Sequence, residues 1–265
     1  MTEPRGALPV APRAPGGAQV LDRTVELLAA VARAGGPLAP AELAERCGLP
    51  ASTTYRLLAD LELHGLVSRE GRRGVTLGVR ILELARSVED RLQVALVQPA
   101  HEVMHALARE YGETAILTAP AGLDAIALAS VESPQHAMRL SYGRWRTAPM
   151  HLGASGKILL AHLDDAAAER VIAAAPRRPG PGARLDGATL RAQVHAARRD
   201  GHAVTHGELD EGASAVAAPV LDGRGRLVAG LSLAGPTPRM ERALHRIVPA
   251  VMDGARGIAT RIAAP

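Results

Sequence analysis

Residues 40–78, PAELAERCGLPASTTYRLLADLELHGLVSREGRRGVTLG, decide the fold of the N-terminal part of the chain. They read as a helix, a tight turn, a second helix and a basic hairpin. Ala41, Leu43, Ala44 and Cys47 give the first helix an apolar stripe, and Gly48 breaks it. Pro50 precedes a second helix that runs to about His64, with Gly65 as its stop. At about 100° per residue, Thr54, Leu57, Leu58 and Leu61 share one side of that helix. Ser52, Thr53, Arg56 and Asp60 share the other. Val67 and Val75–Leu77 follow as short strands around Arg69, Arg72 and Arg73, at a glycine-flanked tip. The layout predicts a winged helix-turn-helix. Docked by its N-terminal end, the second helix offers hydroxyls and backbone N–H groups to phosphates and a long Arg to base edges. The candidate contacts to double-stranded DNA are Ser52, Thr53, Tyr55, Arg56, Arg69, Arg72 and Arg73. The plainer alternative is a helical hairpin with a solvated charged face.

Outward from this unit the pattern changes. Residues 1–18 are rich in Pro, Gly and Ala and read as a disordered tail. A first helix carries Val20, Leu21, Val25, Leu28 and Val31 and ends at Gly35-Gly36. The DNA-binding unit is therefore expected over 19–79. Ile81, Leu84, Val88 and Leu92 recur at helical spacing in a linker helix, 80–98, which Pro99 should break before a further helix ending near Gly112. From Thr114 onward strands and helices mix. Strands are expected over 115–118, 125–131, 139–142, 203–205, 214–220 and 227–233, and helices over 155–163, 165–174, 188–200 and 239–262. Residues 175–186 read as a loop. The order predicts an α+β chain whose 99–265 part is a sheet covered by helices.

Bulk properties bound the function. A chain of 265 residues with 47% hydrophobic content can form one large or two medium domains. The pI near 9.9 is a poor guide, because Val20–Arg80 holds eight Arg against seven Asp or Glu, a net of about one charge. Useful positive charge is local, at Arg56 and in the wing. Phe is absent and Trp occurs once, which argues against stacking on single-stranded nucleic acid. The lone Cys47 excludes an internal disulfide and fits a reducing cytoplasm. The sequence shows neither a membrane span nor a signal peptide, and no cofactor motif.

Two blocks in the second half carry a family resemblance: PMHLGASGKILLAHL (Pro149–Leu163) and GHAVTHGELDEGASAVAAPVLDGRGRLVAGLSLAGP (Gly201–Pro236). With the winged helix and helical linker before them, they resemble the IclR-type transcriptional regulators over roughly Val20–Ile262. The resemblance implies a GAF-like α/β sensory domain, a homodimer or dimer of dimers, and operator binding modulated by a small-molecule effector. Carried over residue by residue, it implies an effector pocket of Leu140, Ala148, Gly153, Ala154, Ser155, Thr205, Glu208, Ala213, Ala215, Ser232 and Ala234. Met138 joins it by alternation with Leu140. Glu208 either faces the ligand or braces the loop. Thr205 stands where many members carry an acidic residue or Ser, Leu221 replaces an aromatic, and Ala51 sits where a basic residue is common. Small pocket residues and N–H groups at the start of the Ser155 helix favour a small carboxylate, with an apolar or aromatic body.

Other patterns open other readings. His101-Glu102-Val103-Met104-His105 satisfies H-E-x-x-H, the helical motif of zinc hydrolases, although no third ligand has a persuasive context. Gly153-Ala154-Ser155-Gly156-Lys157 looks like a phosphate-binding loop with the wrong spacing; its plain alternative is a helix start capped by Ser155. An architectural DNA binder with a vestigial sensory domain is the remaining alternative. The reading adopted is a non-enzyme regulator without cofactor or metal.

Overall fold

The computed structural model describes residues 19–71, 73–136, 139–175 and 186–263. Arg72, Met138, the 1–18 tail and most of the 175–186 loop lie outside the described residues. Two compact units divide between Arg91 and Leu92.

In the first unit, α1 (Gln19–Ala34), α2 (Pro40–Arg46) and α3 (Ala51–Leu63) precede the strands β1 (Val67–Arg69) and β2 (Val75–Leu77). Thr54, Leu57, Leu58 and Leu61 are the buried residues of α3, as the helical spacing requires. They pack with Leu27, Val31, Leu38, Leu43, Val67 and Val75. Leu38 also exchanges two backbone hydrogen bonds with Val75, of 3.0 and 2.9 Å, which adds a third short segment to the wing. Gly74 permits it: its φ is +124°, and a Cβ there would lie 2.6 Å from the Leu38 carbonyl oxygen. Two sequence expectations fail here. Ala41 is exposed. The α1 stripe is also rotated, with Leu27, Ala30 and Val31 buried while Val20, Leu21 and Val25 stay in solvent. Packing against β2 and α2 covers the C-terminal part of this helix, so the aliphatics nearer its start are left uncovered.

Helix α4 (Arg80–Leu92) buries no residue, and Leu82, Leu84 and Val88 are exposed. Pro99 does not break the helical path. A π-helical turn over Gln93–Val97 leads directly into α5 (Gln98–Tyr111). The shifted hydrogen-bond ladder puts Pro99 in the first turn after the change, where its missing N–H is tolerated.

The second unit is a six-stranded antiparallel sheet in the order β5-β4-β3-β8-β7-β6. Its strands are β3 (Thr114–Ala121), β4 (Asp124–Val131), β5 (Thr147–Pro149), β6 (Ala203–His206), β7 (Ala213–Leu221) and β8 (Leu227–Pro236). Alternation divides each central strand. Ala115, Leu117, Val216, Ala218, Leu231 and Leu233 face α5 and the long α9 (Thr237–Ala263), through Met104, Leu107, Val251 and Ile258. The opposite face carries α6 (Gly153–Ala161), α7 (Asp165–Ala174) and α8 (Gly187–Asp200). Asp164 and Asp186 cap α7 and α8 by accepting backbone N–H bonds of 2.8 Å from Ala167 and Thr189. Glu113, buried at the start of β3, accepts a bond of 2.9 Å from Arg239 and ties α9 to the sheet.

The strand expected over 139–142 is absent; β5 pairs with Asp124–Ile126 instead. Trp145 adopts φ +68° and donates its N–H to the Ala127 carbonyl at 2.8 Å, which turns the chain back late. Leu140 and Tyr142 then pack by their side chains onto Ile116, Ala127 and Ala234.

Helix α6 lies unusually close to its surroundings. A Cβ on Gly156 would stand 2.3 Å from the Met150 carbonyl oxygen, and one on Gly230 in β8 would press on Thr118 and Ile158. Gly156→Ala should therefore destabilise the protein by about 1–3 kcal/mol, the usual cost of forced overpacking. Gly36→Ala, where nothing lies within 4 Å, should be nearly neutral. Urea unfolding of both variants checks the contrast.

Candidate functional site

The candidate nucleic-acid face is built by α3. With its apolar side in the core, Ser52, Tyr55 and Arg56 are exposed and Thr53 is half-buried. No acidic residue occupies the first turn of α3, so its positive end is not neutralised locally. In the wing, Arg73 is exposed, while Arg69 donates to Glu62 at 2.8 Å across an exposed ion pair. Arg69 is thus shared with α3, and Arg56 and Arg73 are the better-presented cations.

The second candidate site is a pocket between the sheet and the N-terminal end of α6. It encloses about 700 Å³ counted to its open mouth, of which about 70 Å³ can hold the centre of a water molecule. The chamber is narrow and suits a small molecule. Ten of the expected residues line it: Ala148, Gly153, Ala154, Ser155, Thr205, Glu208, Ala213, Ala215, Ser232 and Ala234. Leu140 does not. Its side chain packs behind the wall, and its carbonyl accepts a 2.6 Å bond from the Thr114 hydroxyl.

Glu208 braces the loop. It accepts the Gly153 N–H at 3.1 Å and pairs with the buried ammonium of Lys157. Burial lowers the Lys157 pKa from its ordinary value, opposed by the hydrogen bond and charge of Glu208. The likeness to a phosphate loop thereby dissolves, because the lysine is committed to a carboxylate. Ser155 does not cap α6 either: Leu152 holds the cap position, and the Ser155 hydroxyl donates to Ser232 at 2.9 Å. The N–H groups of Ala154 and Ser155, in the first turn, have no acceptor within the helix.

Sequence reading missed the polar mouth. Tyr142 donates its hydroxyl to Asp210 at 2.7 Å, and the Arg146 guanidinium lies 3.4 Å from the same carboxylate and 4.7 Å over the Tyr142 ring. Burial first, then the bond to Asp210, raises the Tyr142 pKa far above its ordinary value, so the phenol stays a donor. Tyr142 ends the 139–142 segment expected as a strand, and Arg146 follows four residues later. Only that spacing could have found them. His101 and His105 sit apart on the exposed face of α5. Among the described residues no cluster of three or more His, Cys, Asp or Glu could hold a metal, so the three-ligand zinc site of a hydrolase is not assembled.

Comparison with known proteins agrees with this geometry. Residues 20–71 match the IclR helix-turn-helix domain, and residues 91–260 match the C-terminal domain of bacterial IclR transcriptional regulators. The chain is 33% identical over 220 residues to the transcriptional regulator SauR of Cupriavidus necator, covering 82% of this chain and 86% of that one. It is 31% identical over 248 residues to the transcriptional repressor IclR of Escherichia coli, covering 89% and 87%. A solved IclR homologue from Microbacterium hydrocarbonoxydans, complexed with 4-hydroxybenzoate, superposes with a TM-score of 0.67 at 26% identity, covering 93% of this chain and 100% of that one. These relatives are regulators, not enzymes. Among the described residues no helix is long and apolar enough to cross a membrane. From the reading helix to the sensory sheet, the chain belongs to the IclR family of transcriptional regulators, with a DNA-binding helix-turn-helix domain and an effector-binding domain.

Proposed function

We propose that the protein is a cytoplasmic homodimer, or dimer of dimers, that binds a near-palindromic operator and releases or engages it in response to a small organic acid. The observation that carries the effector half is the α6 pocket: an alanine-rich chamber with N–H groups, three serines and Arg146 around it. Alanines such as Ala125, Ala127, Ala215 and Ala234 leave room for an apolar or aromatic body. The first-turn amides and Arg146 suit a carboxylate. The 4-hydroxybenzoate in the Microbacterium homologue is an acid of this kind. A chamber with such polar fittings favours a working sensor over a vestigial one.

One recognition helix reads only a few base pairs, so two-fold pairing of α3 gives the contacts an operator needs. The exposed apolar residues of α4, Leu84 and Val88 beside half-buried Ile81, and those of α1 supply a surface for that pairing. The effector would then act by population shift, favouring one spacing of the paired helices.

Three outcomes follow. Arg56→Ala should weaken operator binding by about 1–3 kcal/mol and relax sequence preference; unchanged affinity in a gel-shift titration would remove Arg56 from base reading. Replacing Leu84 and Val88 with Glu together should split the dimer, whereas an intact dimer in sedimentation would refute α4 as the main interface. Ser155→Pro and Ala215→Leu should abolish binding of 4-hydroxybenzoate and related monocarboxylates in calorimetry, while operator binding without effector survives. Undiminished binding in both variants would place the effector site elsewhere.

A further inference from the structure

The His101-Glu102-Val103-Met104-His105 segment takes part in neither site described above. It lies on α5 just after the π-helical turn, with both histidines exposed. Their Nε2 atoms share a 3.1 Å hydrogen bond, one ring donating to the other, and the ring centroids are 4.3 Å apart at a 50° tilt. Spacing of i and i+4 places two side chains on one face of a helix. Two nitrogens bound at roughly 2.0–2.1 Å to one metal ion, at tetrahedral to octahedral angles, stand about 2.9–3.4 Å apart. The observed separation falls within that span without any change of helix geometry. A metal ion would take the place of the shared proton, with both rings binding through Nε2 and each protonated on Nδ1.

From this pair we infer an exposed two-histidine site for a late first-row divalent cation, with water completing the coordination. Glu102 does not join it, because its carboxylate is held by Arg261 at 2.9 Å. Two imidazoles without a third protein ligand make neither a structural nor a catalytic zinc centre. They make an exchangeable chelate whose preference follows ligand chemistry: Cu²⁺ first, Ni²⁺ and Zn²⁺ next, and no response to oxygen-seeking Mg²⁺. Binding requires deprotonated rings, so affinity falls as the solution is acidified. Because the chelate needs the helical spacing, it also favours folded α5 over the unfolded chain.

The test is calorimetric titration of the full-length, tag-free protein with CuCl₂, NiCl₂, ZnCl₂ and MgCl₂, with parallel thermal melts. The expected result is one Cu²⁺, Ni²⁺ or Zn²⁺ ion per chain, a rise in melting temperature on saturation, and no Mg²⁺ signal. His101→Ala and His105→Ala should each weaken binding by at least about tenfold, the loss of one of two ligands, while His245→Ala on α9 leaves it unchanged. Both histidines are exposed, and far-UV circular dichroism verifies that the variants fold. Binding that persists in either variant, or no binding to the wild type at millimolar metal, overturns the inference.

Discussion

The sensory half of this protein depends on how closely α6 is pressed against the sheet. Two glycines make that approach possible. Gly156 lets the helix pass the Met150 carbonyl, and Gly230 leaves a hollow in β8 beneath Ile158 and Leu159. Around this contact the core closes dry, with Ile158, Leu159 and Leu160 wholly buried. At the N-terminal end of the same helix the packing stops short, and the pocket is the space that remains. A pocket beside a rigid, densely packed segment is preorganised, so little ordering opposes a ligand that enters it.

The loop facing α6 is held by charge as well as by the packing of Leu209 onto Ile116, Tyr142 and Ala234. Glu208 connects the Gly153 amide and Lys157 across the top of the helix. Removing either partner would leave a buried charge without compensation, a costly arrangement in a medium of low dielectric. Asp210, two residues on, serves Tyr142 and Arg146 at the mouth. One short turn therefore connects the inner and outer parts of the pocket, and a ligand that displaces Arg146 from Asp210 would act on the turn that also holds Glu208.

Legibility in the sequence followed the strength of periodicity. The buried set of α3 was visible in full, because a winged helix has one dry side and its spacing is regular. The central strands were visible because their alternation is enforced on both faces of the sheet. Helix α1 misled, because β2 and α2 cover its C-terminal part and leave the aliphatics near its start in solvent. The 139–142 segment misled because its residues alternate like a strand, yet a single left-handed residue just downstream, Trp145, redirects the backbone. Pro99 misled because a π-helical turn can absorb it, and that turn has no simple residue signature. Nearly half of the pocket lining coincides with residues carried over by family resemblance. Asp210, Tyr142 and Arg146 were not among them, since their meeting is a matter of loop geometry.

Lys157 is the only lysine in the chain, and 3% of its surface is exposed. Reagents and enzymes that acylate ε-amines thus find no accessible target on the folded protein, although arginine is abundant over its surface. The ammonium becomes reactive only when the Glu208 loop lifts or α6 detaches, so its acylation rate is a measure of local opening at the sensory pocket. The protein carries an intrinsic single-site reporter, placed one turn into the helix that borders the chamber.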